Sequence, residues 1–298
     1  MPCGTQRDQL PESTEMELRE IAPNFALEVI GLKIWEDIDE NTVRQLDDAL
    51  SQNGVLIFRR QSISEAELVD FSRYFGAAET IVRSDWASKT SAEVTRISNL
   101  RSADGQPIGG LGSGELAWHA DQSYMQNPAT GAFLYGVEVP VDGPETMWAN
   151  LALAYNALPT ATKDLLDGKK GVFSYAKRVS GYDQEATPED VRKSTPDVLH
   201  SLVNVHPVTG EKALYLDPGT TIGVDGMSPS DGQSLLDDLA AHATSSAFVY
   251  RHNWQSGDVI MWDNGFLLHR RDAFTPNTNR LLKRTTIRLD EERHIVPE

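Results

Sequence analysis

The first eighty residues alternate between strand-like and helix-like patterns of apolar and polar positions. Residues 25–32 alternate apolar and polar side chains, the period of a half-buried strand, and 55–58 form a short apolar run typical of a buried strand. Between them, 41–52 place apolar residues at helical spacing, and the capping box at 64–67 predicts the start of a second helix. Both kinds of element are therefore expected in this part of the chain.

From about residue 92 onward, strand patterns dominate. Many strands with a few helices outside them are typical of a mainly β fold with flanking helices, here a double-stranded β-helix or jelly roll. The strands are predicted at 94–97, 132–137, 213–216, 247–250 and 258–262, and the helices near 152–167 and 230–243.

Two polar segments fall outside this pattern. Residues 1–15 are rich in Glu, Gln, Ser and Pro and are predicted to be a disordered tail. Residues 176–201 are charged and weakly periodic, and a loop this long inside a compact domain is usually functional, so we expect a lid over a site. The remainder, 16–298, is predicted to be a single domain.

The amino-acid composition argues against several classes of partner and of metal site. The net charge of −17 opposes binding to nucleic acid or an anionic membrane. The chain has no apolar run long enough to span a bilayer, and its one cysteine, Cys3, excludes an internal disulfide and a cysteine-rich metal site. Its first residues lack an apolar stretch, so we do not expect them to be a secretory signal. We expect a cytoplasmic protein that acts on a small molecule, with a homo-oligomer left open.

A basic segment stands out in this acidic chain. Between residues 270 and 288 six basic residues accompany one acid, Asp272. Such a segment can be a solvated cationic face, or it can hold an anion. The basic residues are Arg270, Arg271, Arg280, Lys283, Arg284 and Arg288.

Three residues form a candidate metal-binding set. On a strand, His119 and Asp121 would point to the same face, although such a pair is common by chance and can equally be a surface pair near a turn. His269 lies 148 residues beyond Asp121, after the apolar strand at 258–262, so only the fold can bring it close. Two imidazoles and one carboxylate are the facial triad of non-haem iron(II) oxygenases, which leaves coordination positions for a 2-oxo acid and oxygen.

Two arginines follow the second histidine at 11 and 15 residues. Arginine anchors carboxylates bidentately, as a 2-oxoglutarate enzyme requires. If the segment is extended, Arg280 and Arg284 share a face but lie about 13 Å apart along it. They therefore suit two anions, the cosubstrate and an acidic group on the substrate, although an ordinary surface cation remains the alternative for each.

In order and spacing, these residues resemble the taurine dioxygenase / 2,4-dichlorophenoxyacetate dioxygenase family over about 18–289. The resemblance implies that Fe(II) is bound by His119, Asp121 and His269, and that Thr146 and Arg280 bind the far carboxylate of 2-oxoglutarate, with O2 as cosubstrate. The motifs are WHADQSY at 118–124, GPETMWAN at 143–150, and GDVIMWDN at 257–264 followed by His269, Arg280 and Arg284.

The resemblance also implies a reaction: a C–H bond of a small acidic metabolite is oxidised, in the simplest case hydroxylated, and succinate and CO2 are released. The carboxylate ligand, Asp121, separates the chain from related halogenases, which lack it. Arg284 corresponds to the residue that contacts the substrate sulfonate in the taurine enzyme.

The chain departs from the taurine enzyme at its substrate positions. It has no histidine within 80–88, and Glu115 stands where that enzyme has an asparagine, so taurine is not the expected substrate. Glu115 and Asn99 are candidates for substrate binding, although Glu115 can equally be a solvated loop acid. Asp263 or Asn264 is predicted to support the metal ligands. The remaining histidines, His200, His206, His242, His252 and His294, are expected not to bind the metal.

Two other classes of protein use similar residues. A zinc hydrolase could employ the same triad, but it has no need for a basic anchor such as Arg280. A non-catalytic anion-binding protein of this fold would be expected to have a broken triad, and here the triad is complete.

Overall fold

A computed structural model of the chain describes residues 16–80, 86–180 and 195–298. The predicted tail at 1–15 and the central part of the predicted lid, 181–194, lie outside these residues. Of the lid, the structure describes two regular ends, the helix Tyr175–Ser180 and the strand Val198–Ser201. Within the described ranges, no helix has both the length and the apolarity needed to cross a membrane.

Strands account for more of the described chain than helices do, and the helices lie between them. In chain order the strands are β1 (Glu17–Ala22), β2 (Ala26–Ile30), β3 (Val55–Phe58), β4 (Ala77–Ala78), β5 (Thr95–Ser98), β6 (Gly110–Leu111), β7 (Leu116–His119), β8 (Gly131–Glu138), β9 (Thr146–Asn150), β10 (Lys170–Phe173), β11 (Val198–Ser201), β12 (Val203–Val205), β13 (Lys212–Leu214), β14 (Thr221–Val224), β15 (Val249–His252), β16 (Val259–Asp263), β17 (Leu267–Arg271) and β18 (Leu281–Arg288). The helices are α1 (Glu40–Asn53), α2 (Glu65–Arg73), α3 (Leu151–Asn156), α4 (Thr160–Leu166), α5 (Tyr175–Ser180) and α6 (Pro229–Ala243).

Two sheets form the centre of the fold. The main sheet has nine strands in the order β1-β2-β3-β16-β8-β18-β5-β6, with β4 also paired to β18. The second sheet has the order β15-β9-β17-β7. Its strands come from distant parts of the chain, so residues near 119, 148 and 269 become neighbours.

The two sheets pack face to face through large apolar side chains. Trp148 of the second sheet meets Trp262 of the main sheet, with ring centroids 5.8 Å apart. Leu134, Ile260 and Leu282 of the main sheet belong to the same buried cluster. The arrangement is the predicted one, a mainly β sandwich with helices on its outer faces.

The helices cover the outer faces of the sheets. Leu46 of α1 and Phe71 of α2 pack against Phe58 and Phe133, which point outward from the main sheet. On the other side, α3 and α6 contribute to a cluster that covers the second sheet. Apolar side chains therefore pack against both faces of each sheet.

Local signals explain where the first two helices begin and end. Asp39 caps α1 by accepting a hydrogen bond from the Thr42 amide, and the predicted capping box at Ser64 and Glu67 is confirmed. After α1 the chain turns at Gly54 with φ +88°, a left-handed conformation that favours glycine. A Cβ at this position would also lie only 3.0 Å from the Phe266 ring.

The predicted helix at 152–167 is wrong in one respect, because the structure contains two helices there, α3 and α4. Pro159 lies between them. Proline lacks the amide hydrogen that a continuous helix needs, and it disfavours helical backbone in the residue before it. The predicted strand at 247–250 is also shifted, because a 3-10 turn at Ser246–Phe248 precedes β15.

A buried charge cluster attaches the C-terminal segment to the core. His294 contacts Asp263 of β16 through Nδ1 at 2.7 Å and Asp47 of α1 through Nε2 at 2.8 Å. Burial alone would lower its pKa, but hydrogen bonds to the two carboxylates and their charges raise the pKa of His294 to about 9. The imidazolium therefore joins β16, α1 and the chain end.

This cluster predicts a loss of stability at alkaline pH. The pKa of His294 is about 9 when folded, against an ordinary value of 6.5. Its stabilisation is therefore complete below about pH 6.5 and is lost as the pH rises through about 9, by roughly 3 kcal/mol in total. We expect urea unfolding of the wild type to show this decrease and His294→Gln to show a much smaller one. An equal decrease in both proteins would contradict the assignment.

Candidate active site

The predicted triad assembles at the junction of β7 and β17. His269 lies directly opposite His119 in the ladder that joins these strands, and the two imidazole centroids are 4.0 Å apart. Nε2 of His269 is 3.8 Å from Oδ2 of Asp121. One nitrogen or oxygen from each residue lies within 4.8 Å of the others, and all three residues are buried. Two imidazoles and a carboxylate thus converge on one point.

The turn that carries His119 and Asp121 is fixed by hydrogen bonds. Nδ1 of His119 is 2.7 Å from the Ala117 carbonyl, a contact that orients the ring and directs Nε2 toward the other two residues. Asn264 holds the backbone of Asp121 at both ends: its Oδ1 accepts from the Asp121 amide at 3.1 Å, and its Nδ2 donates to the Asp121 carbonyl at 2.9 Å. The predicted supporting contact of Asn264 is therefore present, whereas Asp263 contacts His294.

Arg284 is paired with the carboxylate of the triad. Its Nη1 lies 2.8 Å from each oxygen of Asp121. The side chain of Arg284 is 14% exposed and that of Asp121 is 9% exposed, so the pair is largely shielded from water. A cation predicted to contact substrate thus lies directly beside the metal-binding group.

Arg280 is the other arginine that the sequence predicted to bind an anion. It is 2% exposed, and among the described residues its Nε has no hydrogen-bond partner and no carboxylate pairs with it. The ring of Phe274 is 5.8 Å from the guanidinium carbon of Arg280 and 4.9 Å from that of Arg271. Arg271 in turn lies opposite Thr146 in the ladder of β17 and β9. Thr146 and Arg280, predicted to share one ligand, are thus each near Arg271.

The electrostatics of Arg280 favour an anionic ligand. Burial, and secondly the positive charge of Arg271, lower the pKa of Arg280 to about 9. A buried cation without a counterion is costly, and a bound carboxylate would remove that cost.

The two remaining predicted site residues make other contacts. The amide nitrogen of Asn99 donates to the carbonyls of Pro276 and Thr278, and its oxygen accepts from the Arg280 amide. Asn99 thus holds the segment that leads into Arg280. Glu115 is exposed and lies 3.3 Å from Arg270, which neighbours His269 on β17. A substrate contact for either residue remains a prediction.

The donor set fits a divalent metal with a 2-oxo acid. Two imidazoles and one carboxylate on one side of an ion are the ligands that non-haem iron(II) oxygenases use. The unpaired Arg280 fits the distal carboxylate of the acid. The chemistry of the residues present therefore agrees with the group that the sequence implies.

Comparison with known proteins settles the family. The family model described as "Taurine catabolism dioxygenase TauD, TfdA family" matches residues 17–286. The chain belongs to this TauD/TfdA family. It is 31% identical over 274 residues to the alpha-ketoglutarate-dependent 2,4-dichlorophenoxyacetate dioxygenase of Cupriavidus pinatubonensis, covering 89% of this chain and 94% of the relative. It is an enzyme of the 2-oxoglutarate-dependent dioxygenase class, as the motifs predicted.

Solved structures of family members confirm the fold. A taurine dioxygenase from Burkholderia xenovorans superposes with a TM-score of 0.77 at 29% identity, covering 95% of this chain and 94% of that chain. The structure of AAD-2 in complex with Mn(II) and N-oxalylglycine gives a TM-score of 0.79 at 28% identity, covering 95% and 100%. The jelly-roll prediction is therefore confirmed.

Three residues support the TauD/TfdA site, and the sequence marked only one of them, Arg271, as a member of the basic segment. Arg271 donates to the carbonyls of Leu111, Gly112 and Gly114, so it holds a loop beside the site. Trp254 donates to the hydroxyl of Thr146 at 2.9 Å. Asp217 contacts the turn that carries two metal ligands. Each acts through contacts between distant segments, and such contacts leave no local pattern in the sequence.

The Asp121–Arg284 pair predicts coupled effects on stability and metal binding. Asp121→Ala should abolish Mn(II) binding, because it removes the only carboxylate of the triad, and should lower the free energy of unfolding by about 2–4 kcal/mol by leaving Arg284 buried without a counterion. The double variant Asp121→Ala/Arg284→Met should recover much of the stability but none of the metal binding. Urea unfolding and Mn(II) titration measure the two effects.

Asp164→Ala, on the exposed surface of α4, provides the control and should change neither quantity. Tight Mn(II) binding by Asp121→Ala would contradict the assignment of the triad. Failure of the double variant to regain stability would contradict the importance of the buried pair.

Proposed function

We propose that this chain binds Fe(II) through His119, Asp121 and His269 and uses 2-oxoglutarate and O2 to hydroxylate a C–H bond of a small acidic metabolite, releasing succinate and CO2. The observation that carries the proposal is the buried triad together with two buried arginines, one paired with Asp121 and one that no carboxylate pairs with in the described part of the chain.

When it is bound, the iron would activate oxygen. The protein positions the reacting groups and provides the charged side chains around them. Burial of the triad excludes water from the reacting groups, and the hydrogen bonds of Asn264 keep Asp121 in place. The two indole side chains of Trp148 and Trp262 pack beside the triad and form an apolar wall. The indole rings restrict movement of the His269 imidazole, whose ring centroid is 5.1 Å from that of Trp262.

Arg280 and Thr146 are proposed to bind the far carboxylate of 2-oxoglutarate. Arg280 is a buried cation that gains a counterion when the acid binds, and Thr146 offers a hydroxyl that Trp254 already orients. Asn99 supports this contact, because it binds the amide of Arg280 itself.

Arg284 is proposed to bind the acidic group of the substrate. Its guanidinium now pairs with Asp121. When Asp121 ligates a metal, part of its negative charge is neutralised by the ion, so its attraction for Arg284 weakens and the guanidinium can accept an anion on the metal side. Arg280 and Arg284 have different neighbours, which supports two separate anion contacts.

The names of the relatives support an acidic substrate without selecting one. One is named for 2,4-dichlorophenoxyacetate and another, from Pseudomonas putida, is an alpha-ketoglutarate-dependent sulfate ester dioxygenase, 27% identical over 285 residues and covering 93% of this chain and 91% of the relative. We propose a carboxylate, sulfonate, sulfate or phosphate ester as the substrate class. A cytoplasmic setting, suggested by the single cysteine, is part of the same proposal.

The cofactor assignment predicts a visible signal in the absence of oxygen. Adding Fe(II) and 2-oxoglutarate anaerobically should produce a weak metal-to-ligand charge-transfer band, and oxygen with an acidic substrate should then release succinate. A screen of acidic metabolites for substrate-stimulated succinate release would identify the substrate. A folded protein that gives no band with Fe(II) and 2-oxoglutarate would overturn the proposal.

Removing the charge of Arg280 should weaken ligand binding without lowering the stability of the ligand-free protein. Arg280→Met should weaken N-oxalylglycine binding at least about 30-fold, because a buried charge-assisted contact is lost. The same substitution should leave the Tm of the ligand-free protein unchanged or higher, because an uncompensated buried charge is removed. Titration calorimetry in Mn(II) and thermal unfolding test the two effects.

Arg288→Met is the matched control at the end of β18, the strand that begins directly after Arg280, since Arg288 is about half exposed and pairs with Glu79. It should not change the affinity for N-oxalylglycine. If Arg280→Met lowers stability and leaves affinity intact, Arg280 is a structural residue and the anchor assignment is wrong.

A further inference from the structure

A carboxylate outside the triad contacts the turn between two of the metal ligands. Asp217 follows β13, is 0% exposed, and belongs to the segment that leads into β14. Its Oδ2 accepts hydrogen bonds from the Ala120 amide at 3.1 Å and from the Ser123 hydroxyl at 2.6 Å. Nearly one hundred residues of sequence separate Asp217 from this turn, so the contact exists only in the fold.

The position of Ala120 makes this contact important for the metal ligands. Ala120 lies between His119 and Asp121, so a hydrogen bond to its amide fixes the peptide plane that joins them. The turn then passes through Gln122 with φ +56°, a left-handed conformation that is unfavourable for a residue with a side chain. Such a conformation persists only where surrounding contacts impose it.

Two buried side chains, from segments far apart in the chain, hold the turn in this left-handed conformation. Asn264 holds the backbone of Asp121, and Asp217 holds Ala120 and Ser123 on either side of it. The hydroxyls of Ser123 and Thr220 lie 2.8 Å apart, which adds a second link to the Asp217 segment. The turn is therefore fixed at successive residues while the ligand side chains face the site.

We propose that Asp217 is a positioning residue for metal binding: its carboxylate sets the ligand turn so that His119 and Asp121 present their ligand atoms to one ion. The inference rests on the proposed metal site, and it extends that site to a residue with no sequence motif.

The contacts require a carboxylate at this position. Oδ1 of Asp217 accepts from the Gly219 amide at 2.7 Å, while Oδ2 accepts from the Ala120 amide and the Ser123 hydroxyl. Backbone amides can only donate, so amide donors approach both oxygens. An asparagine has the same shape but one acceptor oxygen, and its NH2 group would face an amide hydrogen of Ala120 or Gly219.

The test is Mn(II) binding by Asp217→Asn without 2-oxoglutarate. Loss of residues that support metal ligands commonly weakens metal binding by about 10–100-fold, and we expect a loss in this range for Asp217→Asn. Ser123→Ala removes one contact to the turn and keeps the Gly219 contact, so it should produce a smaller loss in the same direction. The double variant should lose less than the sum, because both substitutions disrupt one contact.

The visible spectrum of bound Co(II) provides a readout of ligand geometry, and it should change in Asp217→Asn and Ser123→Ala. Asp225→Asn, eight residues along and exposed, is the matched control and should match the wild type in both measurements. Thermal unfolding without metal gives the effect on stability separately.

These measurements distinguish a purely structural role of Asp217 from a role in metal binding, and both from failure of the proposed metal centre. If Asp217→Asn lowers the Tm but binds Mn(II) with wild-type affinity and an unchanged Co(II) spectrum, Asp217 only stabilises its own segment and the inference is overturned. If Asp217→Asn does not fold, Ser123→Ala decides, and wild-type affinity in that variant overturns the inference. If the wild type itself binds no Mn(II), the proposed metal centre fails before Asp217 is at issue.

Discussion

The site depends on the pairing of β17 with β7. This ladder places His269 opposite His119 and, through the neighbouring pairing of β17 with β9, places Arg271 opposite Thr146. A shift of one residue in the register would turn His269 to the other face of the sheet, where the second sheet packs against α3 and α6. The apolar packing between the two sheets, with Trp148 against Trp262, holds the register because a shifted strand would bring polar side chains into that layer.

Buried charge is the second constraint on this molecule. Arg284 and Asp121 form a pair, and His294 lies between two carboxylates, so each of these charges is compensated inside the protein. Arg280 differs, since among the described residues no carboxylate pairs with it. A protein keeps such a residue at a cost in stability, and that cost is recovered when an anionic ligand binds. This difference supports the proposal that Arg280 anchors the cosubstrate carboxylate.

The supporting contacts of the triad come from segments that are distant in the chain. Asn264 follows β16, Asp217 precedes β14, and both reach the turn that begins at the end of β7. These side chains have little freedom, because they are buried and hydrogen-bonded to backbone on more than one side. The metal ligands are thus held by buried side chains with little freedom, whereas the lid at 176–201 stays a prediction.

The sequence alone was sufficient for the class of fold, most central strands, the capping box at Ser64 and the residues of the candidate triad, because apolar period and motif spacing are local properties of the chain. The ligand roles of Thr146 and Arg280 stay predictions. The sequence misplaced the helix at 152–167, where Pro159 overrides the apolar pattern, and it could not assign contacts to Asn99 or Glu115. Only the tertiary structure decided that Arg284 pairs with Asp121, that Arg280 has no carboxylate partner within the described ranges, and that Asp217 contacts the ligand turn. The physical reason is that hydrogen bonds and charge pairs in a buried site join segments about one hundred residues or more apart, and strand register, which sequence pattern does not specify, determines which side chains meet.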